Sequence, residues 1–265
     1  MTTLNYAISD SATMFRRQLK RAVRYPGLTL FLLVIPIAFL LLFVYVFGGT
    51  LGDGLGAAAG GGGRAAYANY VMPGILLMTL AMGANLTAVS VAMDMTEGIV
   101  ARFRTMAIAR VSVLTGHVLG SVSQALIASA VMVGIGVLVG FRPTATVVEW
   151  FAAAGLVALV AFAFTWLSVA IGLVAKTVES ASNLPQPLVF LPFLGSGFVP
   201  TDSLPSWLRW FAEHQPFTPW METLRGLLLG TPIGSDGIVS VGWAAGIALA
   251  GYLWAKRRYN RDPVR

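Results

Sequence analysis

Long uncharged apolar runs constrain this chain more than any other feature of its sequence. A bilayer core requires about 20 consecutive apolar residues per helix, and residues 28–47 form an uncharged run of that length. Because backbone groups in lipid must pair within their own segment, such runs are predicted to be helices rather than strands. Further runs follow at 71–93, 113–139, 150–175, 184–199 and 238–255. The expected fold is a single all-α integral membrane domain over residues 1–265, with six transmembrane helices.

Composition excludes several function classes. Only 11% of the residues are charged, whereas soluble proteins carry about 25%. The net charge of +7 lies in short clusters between apolar runs, so it indicates a membrane protein and not a nucleic-acid partner. Cysteine is absent, which removes disulfides, thiolate nucleophiles and thiolate metal sites. We therefore expect no catalytic residues, no metal and no directly bound cofactor.

The distribution of Lys and Arg predicts the orientation in the membrane. Basic residues concentrate in cytoplasmic connections. Alternate connections, counted with the two terminal segments, hold fourteen Lys and Arg on one side and four on the other. The count predicts that both termini are cytoplasmic, so the number of spans is even. The first run is longer than a signal-peptide core and is expected to be a retained span.

The segment before the first span is predicted to be an amphipathic interfacial helix. Its apolar residues share one helical face, and its basic residues share the other. The basic residues are Arg16, Arg17, Lys20, Arg21 and Arg24. The pattern is compatible with an anchor on anionic lipid. It is equally compatible with a polar face that also contacts a cytoplasmic partner.

The connection between the second and third runs is predicted to contain a cytoplasmic helix over residues 94–108. Asp94 followed by Glu97 resembles a capping box, which indicates a helix start. Ile99 and Phe103 then lie one turn apart and begin an apolar stripe. Such a stripe either packs on the chain's own spans and lipid headgroups or docks in the groove of a cytoplasmic subunit.

The connection between the fifth and sixth runs is predicted to form short helices within residues 206–229 at the outer membrane boundary. Trp207 and Trp210 are the aromatic residues expected at such an interface. Glu222 and Arg225 follow with i,i+3 spacing. They form either a surface ion pair of little energetic value or a brace for the exit of a transport path.

Pairs of small residues mark expected helix contacts. Gly136 with Gly140 and Gly242 with Gly246 have G-x-x-x-G spacing, and Ser168 with Gly172 has a looser version. Packing within one subunit is the expected role of these pairs, and a dimer seam is the alternative.

The energy source is predicted to lie outside this chain. The cores of the six predicted spans contain no Asp, Glu, Lys or Arg, although ion-coupled transporters bind their coupling ion through such residues. The chain also lacks the G-x-x-x-x-G-K-[ST] phosphate-binding motif. A pump without an ion site or a nucleotide site must take its energy from a partner.

Three stretches of sequence resemble the ABC-2 type permeases, specifically the daunorubicin/doxorubicin-resistance (DrrB-like) branch of multidrug exporters. They begin with Arg24-Tyr-Pro-Gly, with Glu97-Gly-Ile-Val-Ala-Arg-Phe-Arg104, and with Leu204-Pro-Ser-Trp-Leu-Arg-Trp-Phe-Ala-Glu213. The third stretch continues to Glu222-Thr-Leu-Arg-Gly-Leu-Leu-Leu-Gly230. Met106-Ala107 departs from the Leu-Pro that is usual in the family, so the helix is expected to run further here.

The resemblance implies a function and a set of partners. It implies a permease subunit in a bacterial cell (inner) membrane that exports hydrophobic or amphipathic compounds of the drug or antibiotic class. Two copies of an ABC ATPase would bind ATP and Mg, and a second permease half would complete a homodimer or heterodimer. The resemblance further implies that the segment after span two docks on the ATPase. That coupling set is Glu97, Gly98, Ile99, Arg102, Phe103 and Arg104.

Three other functions remain open on the sequence. A lipid or polysaccharide exporter of the same class would have the same spans and a different cargo. A membrane scaffold would have no transport path. A secondary transporter is disfavoured by the uncharged spans.

Overall fold

The computed structural model describes residues 26–55, 62–98 and 110–261, and all regular structure in these ranges is helical. We number the α-helices α1 to α10 in chain order. They are Pro26–Leu41, Gly48–Leu55, Gly63–Thr96, Arg110–Val139, Val147–Val174, Val178–Asn183, Gln186–Phe190, Ser206–His214, Phe217–Leu229 and Asp236–Arg261.

Five helices within the described ranges are long and apolar enough to cross a membrane. The first comprises α1, a π-helical stretch over Leu42–Phe47, and α2. The others lie in α3, α4, α5 and α10. Five of the six predicted runs lie in these helices, so the chain has the architecture of a multi-pass membrane protein.

The fifth predicted run, residues 184–199, does not form one long helix. It contains α7, a 3-10 turn over Leu191–Leu194, and irregular backbone from Gly195 onward. Three prolines in this run cannot donate a backbone hydrogen bond, and in one continuous helix each would clash with the preceding turn. They lie instead at the starts of the short helical pieces. The prediction of a single spanning helix here is wrong for that reason.

The broken segment nevertheless runs along much of α3. At its start, the Asn85 side chain donates to the Ser182 carbonyl at 2.9 Å. At its end, the Tyr67 hydroxyl donates to the Phe198 carbonyl at 3.1 Å. Tyr67 and Asn85 are eighteen residues apart, which corresponds to about 27 Å of helix axis.

Helices α3 and α5 form the centre of the bundle, and α1, α4 and α10 surround them. Two thirds of the apolar window of α3 and of α5 is buried, against 28% for the others. Close approach depends on glycine at two crossings. A Cβ at Gly172 would lie 2.7 Å from the Ala88 carbonyl oxygen, and one at Gly251 would lie 2.7 Å from the Leu167 backbone nitrogen.

The predicted small-residue pairs have different surroundings. Gly172 packs against α3, as expected of an intrasubunit contact. Gly136 lies against the Met72 side chain, and Gly140 ends α4 with a φ of +127°. Gly242 and Gly246 face open space on the exposed side of α10. The prediction that this last pair packs within the subunit is wrong, because α10 approaches α5 through a different face.

The helix ends also differ from the predicted capping pattern. A capping box does occur at the start of α5, where Thr146 and Glu149 each bond the other's backbone N–H. Asp94, by contrast, is buried within α3, which continues to Thr96. The predicted helix start at Asp94 is therefore wrong, because the apolar pattern of α3 extends through the predicted cap.

Candidate functional site

The predicted coupling residues lie at and beyond the end of α3. Glu97 and Gly98 form the turn that terminates this helix, and their N–H groups bond the carbonyls of Met93 and Met95. Gly98 has a φ of +69°, a left-handed conformation that favours glycine. Helix α3 therefore ends at this turn.

The remaining members of two predicted sets lie outside the described residues. In the coupling set these are Ile99, Arg102, Phe103 and Arg104, and in the interfacial helix they are Arg16, Arg17, Lys20, Arg21 and Arg24. Their assignments stay predictions. The structure does describe all four residues predicted for the outer connection.

Helix α8 presents exposed aromatic residues beside a small charge cluster. Trp207 and Trp210 are 74% and 65% exposed. Arg209 bonds Asp202 at 2.5 Å and Glu213 at 2.7 Å, and all three side chains are substantially exposed. The hydrogen bond to Glu213 raises the pKa of the Arg209 guanidinium above its ordinary value, and Asp202 adds to this effect. This face combines apolar area with paired charges, as expected at a membrane boundary.

Arg225 has a very different environment, because its side chain is only 6% exposed. Its guanidinium bonds Glu222 at 2.6 Å and donates to the carbonyl oxygens of Tyr70 at 3.2 Å and Ser196 at 2.8 Å. The guanidinium carbon also lies 4.0 Å from the centroid of the Tyr70 ring. The cation is thus held by a carboxylate, two carbonyl dipoles and an aromatic face. Glu222 and Arg225 therefore do not form an exposed surface pair of little energetic value.

Tyr67 extends the same cluster toward the end of the irregular segment. Its hydroxyl bonds the Phe198 carbonyl, while Arg225 bonds the Ser196 carbonyl two residues earlier. Between them, Gly197 approaches α3 so closely that a Cβ on Gly74 would lie 3.1 Å from the Gly197 Cα. Backbone without helical pairing is tolerated at membrane depth only where protein groups satisfy it. The two side chains from α3 and α9 provide this satisfaction.

We call this cluster the arginine junction and define it as Tyr67, Tyr70, Ser196, Glu222 and Arg225. It joins three separate elements of the chain: the central helix α3, the irregular segment that follows the 3-10 turn, and α9. The bonds of Arg225 hold the three elements together at this point. The junction offers positioning and electrostatic binding, and it holds no nucleophile paired with a base.

Helix α9 is buried between the long helices and does not lie on the surface. The rings of Phe217 and Trp220 pack 5.6 Å and 5.5 Å from the Phe164 ring, measured between centroids. Phe164 is seventeen residues into α5, which corresponds to about 25 Å along the helix. At the other end of α9, the Leu228 carbonyl accepts from the Thr144 N–H, just before α5 begins. Helix α9 therefore runs antiparallel to α5.

Contacts with α10 fix α9 from the opposite side. The Trp220 indole donates to the Ser240 carbonyl at 2.9 Å, and the Thr223 and Ser240 hydroxyls bond each other at 2.9 Å. With Arg225 on α3 and Phe217 on α5, α9 is bonded or packed to three long helices. These contacts fix the position of α9 relative to all three helices.

Sequence reasoning missed the burial of Arg225, although a signal exists. Met221, Arg225 and Leu228 recur at i, i+4 and i+7 and so share one helical face. The structure buries Met221 and Leu228 completely. An arginine on an apolar face of a helix indicates a buried, paired cation more strongly than a surface pair.

Within the described part of the chain, no group of three or more His, Cys, Asp or Glu side chains has an arrangement that could hold a metal ion. The charged groups that the structure brings together are instead the arginine junction and the exposed cluster on α8.

Comparisons with known proteins show that this chain is similar to membrane proteins of ABC transporters. The model of the family described as ABC-2 type transporter matches residues 11–229. A daunorubicin resistance ABC transporter permease protein of Streptomyces coeruleorubidus is 26% identical over 226 residues, which cover 85% of this chain and 77% of that protein. A probable doxorubicin resistance ABC transporter permease protein of Mycobacterium tuberculosis is 28% identical over 182 residues, which cover 68% of this chain and 65% of that protein. These similarities confirm the resemblance to drug-resistance permeases that the sequence motifs indicated.

Proposed function

Because the chain belongs to the ABC-2 type transporter family, we propose that it is the permease subunit of an ATP-driven exporter. Its cargo is a hydrophobic or amphipathic compound of the drug or antibiotic class, as the names of its relatives suggest. The single observation that carries this proposal is the family match, which extends from before the first span through α9. Apolar helices and uncharged span cores are compatible with such a cargo.

The ATPase activity belongs to a separate subunit. The chain has no P-loop motif, and its relatives are permease proteins of ABC transporters. Two ATPase subunits bind ATP and Mg and act on two permease halves, of which this chain is one. ATP-driven closure of the ATPases rocks the halves against each other and opens the path between them.

The chain crosses the bacterial cell membrane six times, with both termini in the cytoplasm. The charge count supports this orientation. The fifth crossing is made by the broken segment, residues 178–199, which follows α3 for about 27 Å from Asn85 to Tyr67. A bilayer core is about 30 Å thick, so a segment of this reach crosses most of it without forming one continuous helix.

The arginine junction braces the outer end of the transport path. The start of α5 is at the outer face in this orientation, so the C-terminal end of α9 lies at that face and its N-terminal end lies deeper in the bundle. Helix α9 is then the returning half of a re-entrant pair with α8. Arg225 ties this re-entrant helix to α3 and to the broken crossing. Because the same cation bonds all three elements, they move together when the two permease halves separate.

Coupling to the ATPase occurs at the opposite end of α3. The turn at Glu97 and Gly98 ends α3, and in the proposed orientation this end lies at the cytoplasmic face. Residues 99–108 then present an apolar stripe to a groove of the ATPase, with Phe103 at its centre. Burying a phenylalanine contributes about 1.5–3 kcal/mol, and an aspartate in its place would add the cost of desolvating a charge.

The proposal is tested by coexpression of the chain with a candidate ABC ATPase subunit from the same genome. We expect the ATPase to copurify with the wild-type chain, and cells with both proteins to export an amphipathic dye. Phe103→Asp should leave membrane insertion intact, because the residue lies outside the predicted spans. It should abolish export and weaken the copurification.

Thr105→Asp is the matched control, because it introduces the same charge two residues away, on the opposite side of a helix. Export and ATPase binding that survive in Phe103→Asp would show that this segment is not the coupling element. Absence of any bound ATPase with the wild-type chain would contradict the proposed function as a whole.

A further inference from the structure

An apolar cavity lies between α4 and α5, separate from the arginine junction. Its volume is about 240 Å³, and residues of α3 and α9 complete its lining. Trp150, Ala153 and Val157 line it from the first three turns of α5. Ser129 is the one hydroxyl-bearing residue of the lining. The cavity is thus an apolar space, partly open to the surface, with one hydroxyl-bearing residue in its wall.

The cavity opens at the side of the helix bundle, between α4 and α5. Ala130 on α4 and Ala154 on α5 line it and are exposed, whereas Ser129 and Ala153 are buried. Two alanines at the opening leave a gap between the helices that longer side chains would close. Ile127, beside this opening on α4, is 59% exposed, so the surface around the mouth is apolar and suited to lipid.

The Ser129 hydroxyl is buried and has no hydrogen-bond partner. Serine in a helix often bonds the carbonyl one turn earlier, and this hydroxyl does not. A buried hydroxyl without a partner is unfavourable. Water is a poor partner here, because a buried water needs two to four polar groups. The hydroxyl has almost no accessible surface as it stands, so it bonds a ligand only after the serine side chain rotates toward the cavity. A ligand with one hydrogen-bonding group would then satisfy it, and an otherwise apolar ligand surface would fill the space.

We propose that this cavity binds a neutral apolar compound of one or two rings that carries one hydrogen-bonding group and enters from the bilayer. An apolar cavity of about 150 Å³ binds benzene, and this one is about 1.6 times larger. Drug-sized ligands occupy about 300–1,000 Å³, so the site accepts a small compound. All of its lining residues belong to one chain, so binding requires neither ATP nor a second permease half.

The test uses the full-length chain in lipid nanodiscs, with 1-naphthol and naphthalene as probes in equilibrium dialysis. We expect saturable binding of 1-naphthol at one molecule per chain. Ala154→Trp closes the mouth and should abolish the saturable component, leaving only partition into lipid. Ala152→Trp is the matched control, because Ala152 is exposed on the same helix and does not line the cavity. This variant should bind like the wild type.

The role of Ser129 is tested by comparison of the two probes. Ser129→Ala should weaken 1-naphthol binding by about two- to tenfold, the range for one net hydrogen bond. Naphthalene binding should stay unchanged or become tighter. Equal effects of Ser129→Ala on both probes would overturn the hydrogen-bond assignment. Saturable binding of neither probe, or binding that Ala154→Trp retains, would overturn the site. None of these results depends on export, so they are separable from the proposed function.

Discussion

Replacement of Arg225 by methionine tests whether a buried cation holds α9 to the bundle. Methionine keeps most of the aliphatic volume, so the substitution removes the charge and its bonds with little change in packing. The Tyr70 and Ser196 carbonyls would lose the donor that reaches both of them. Glu222 would lose its ion-pair partner but is 35% exposed and stays partly solvated.

The expected destabilisation follows from these contacts. Removal of one partner of a buried ion pair costs about 3–5 kcal/mol. The partial exposure of Glu222 and the apolar surface gained by methionine favour the lower end of this range. We therefore expect a loss of about 3 kcal/mol in the free energy of unfolding. For a chain of this size that loss corresponds to a decrease of about 6–12 °C in the midpoint of thermal unfolding.

The assay is thermal unfolding of the purified chain in detergent, with Arg209→Met as the control. Arg209 contacts two carboxylates, and its nitrogen-to-oxygen distances are about as short as the distance between Arg225 and Glu222. Its side chain, however, is 46% exposed. Exposed ion pairs contribute little because water and salt screen them. We expect Arg209→Met to shift the midpoint by less than a third of the Arg225→Met shift. Equal shifts in the two variants would refute the argument that burial makes the junction strong.

Exchange of the two charges distinguishes the junction from a simple pair. In Glu222→Arg/Arg225→Glu, a carboxylate at position 225 would face the carbonyl oxygens of Tyr70 and Ser196. These oxygens repel a carboxylate, so we expect the double variant to be at least as unstable as Arg225→Met. Recovery of stability or export in the double variant would show that the pair acts alone and that the carbonyl contacts contribute little.

Three further predictions concern topology and packing. Single cysteines in this cysteine-free chain should be labelled from outside at Gly62 and from the cytoplasm at Arg102, and the reverse would invert the proposed orientation. Gly172→Ala should lower stability by about 1–3 kcal/mol, because the new Cβ would collide with α3. Gly246→Ala, which meets open space, should be neutral or stabilising in the same unfolding assay. Tyr67→Phe should cost about 1–3 kcal/mol, because the buried Phe198 carbonyl loses its donor, and an unchanged midpoint would contradict that role.

The apolar runs alone predicted where the long helices lie. Lipid offers no hydrogen bonds, so an uncharged run of about 20 residues has few structures available other than a helix. The same runs, together with the three motif stretches, indicated the family before any packing was known. Local sequence carries this information because each helix satisfies its own backbone.

Short-range patterns were less reliable where two local signals compete. Asp94 and Glu97 have the spacing of a capping box, but the chain at Asp94 is still within α3. Thr146 and Glu149 have the same spacing and do form the box, because no helix precedes them directly. A capping pattern marks a helix start only when the previous helix has already ended. That condition depends on how far the previous helix packs against its neighbours.

Only the tertiary structure determined the state of Arg225 and the course of the broken segment. Sequence places Arg225 three residues after Glu222, and this spacing fits an exposed pair equally well. Its burial depends on α9 inserting between α3, α5 and α10, which involves residues up to 155 positions away. The prolines interrupt residues 184–199, but the course of the resulting pieces depends on partners in α3 such as Tyr67 and Asn85. Helices in lipid are specified locally, whereas irregular backbone and buried charge are stable only where distant groups supply their bonds.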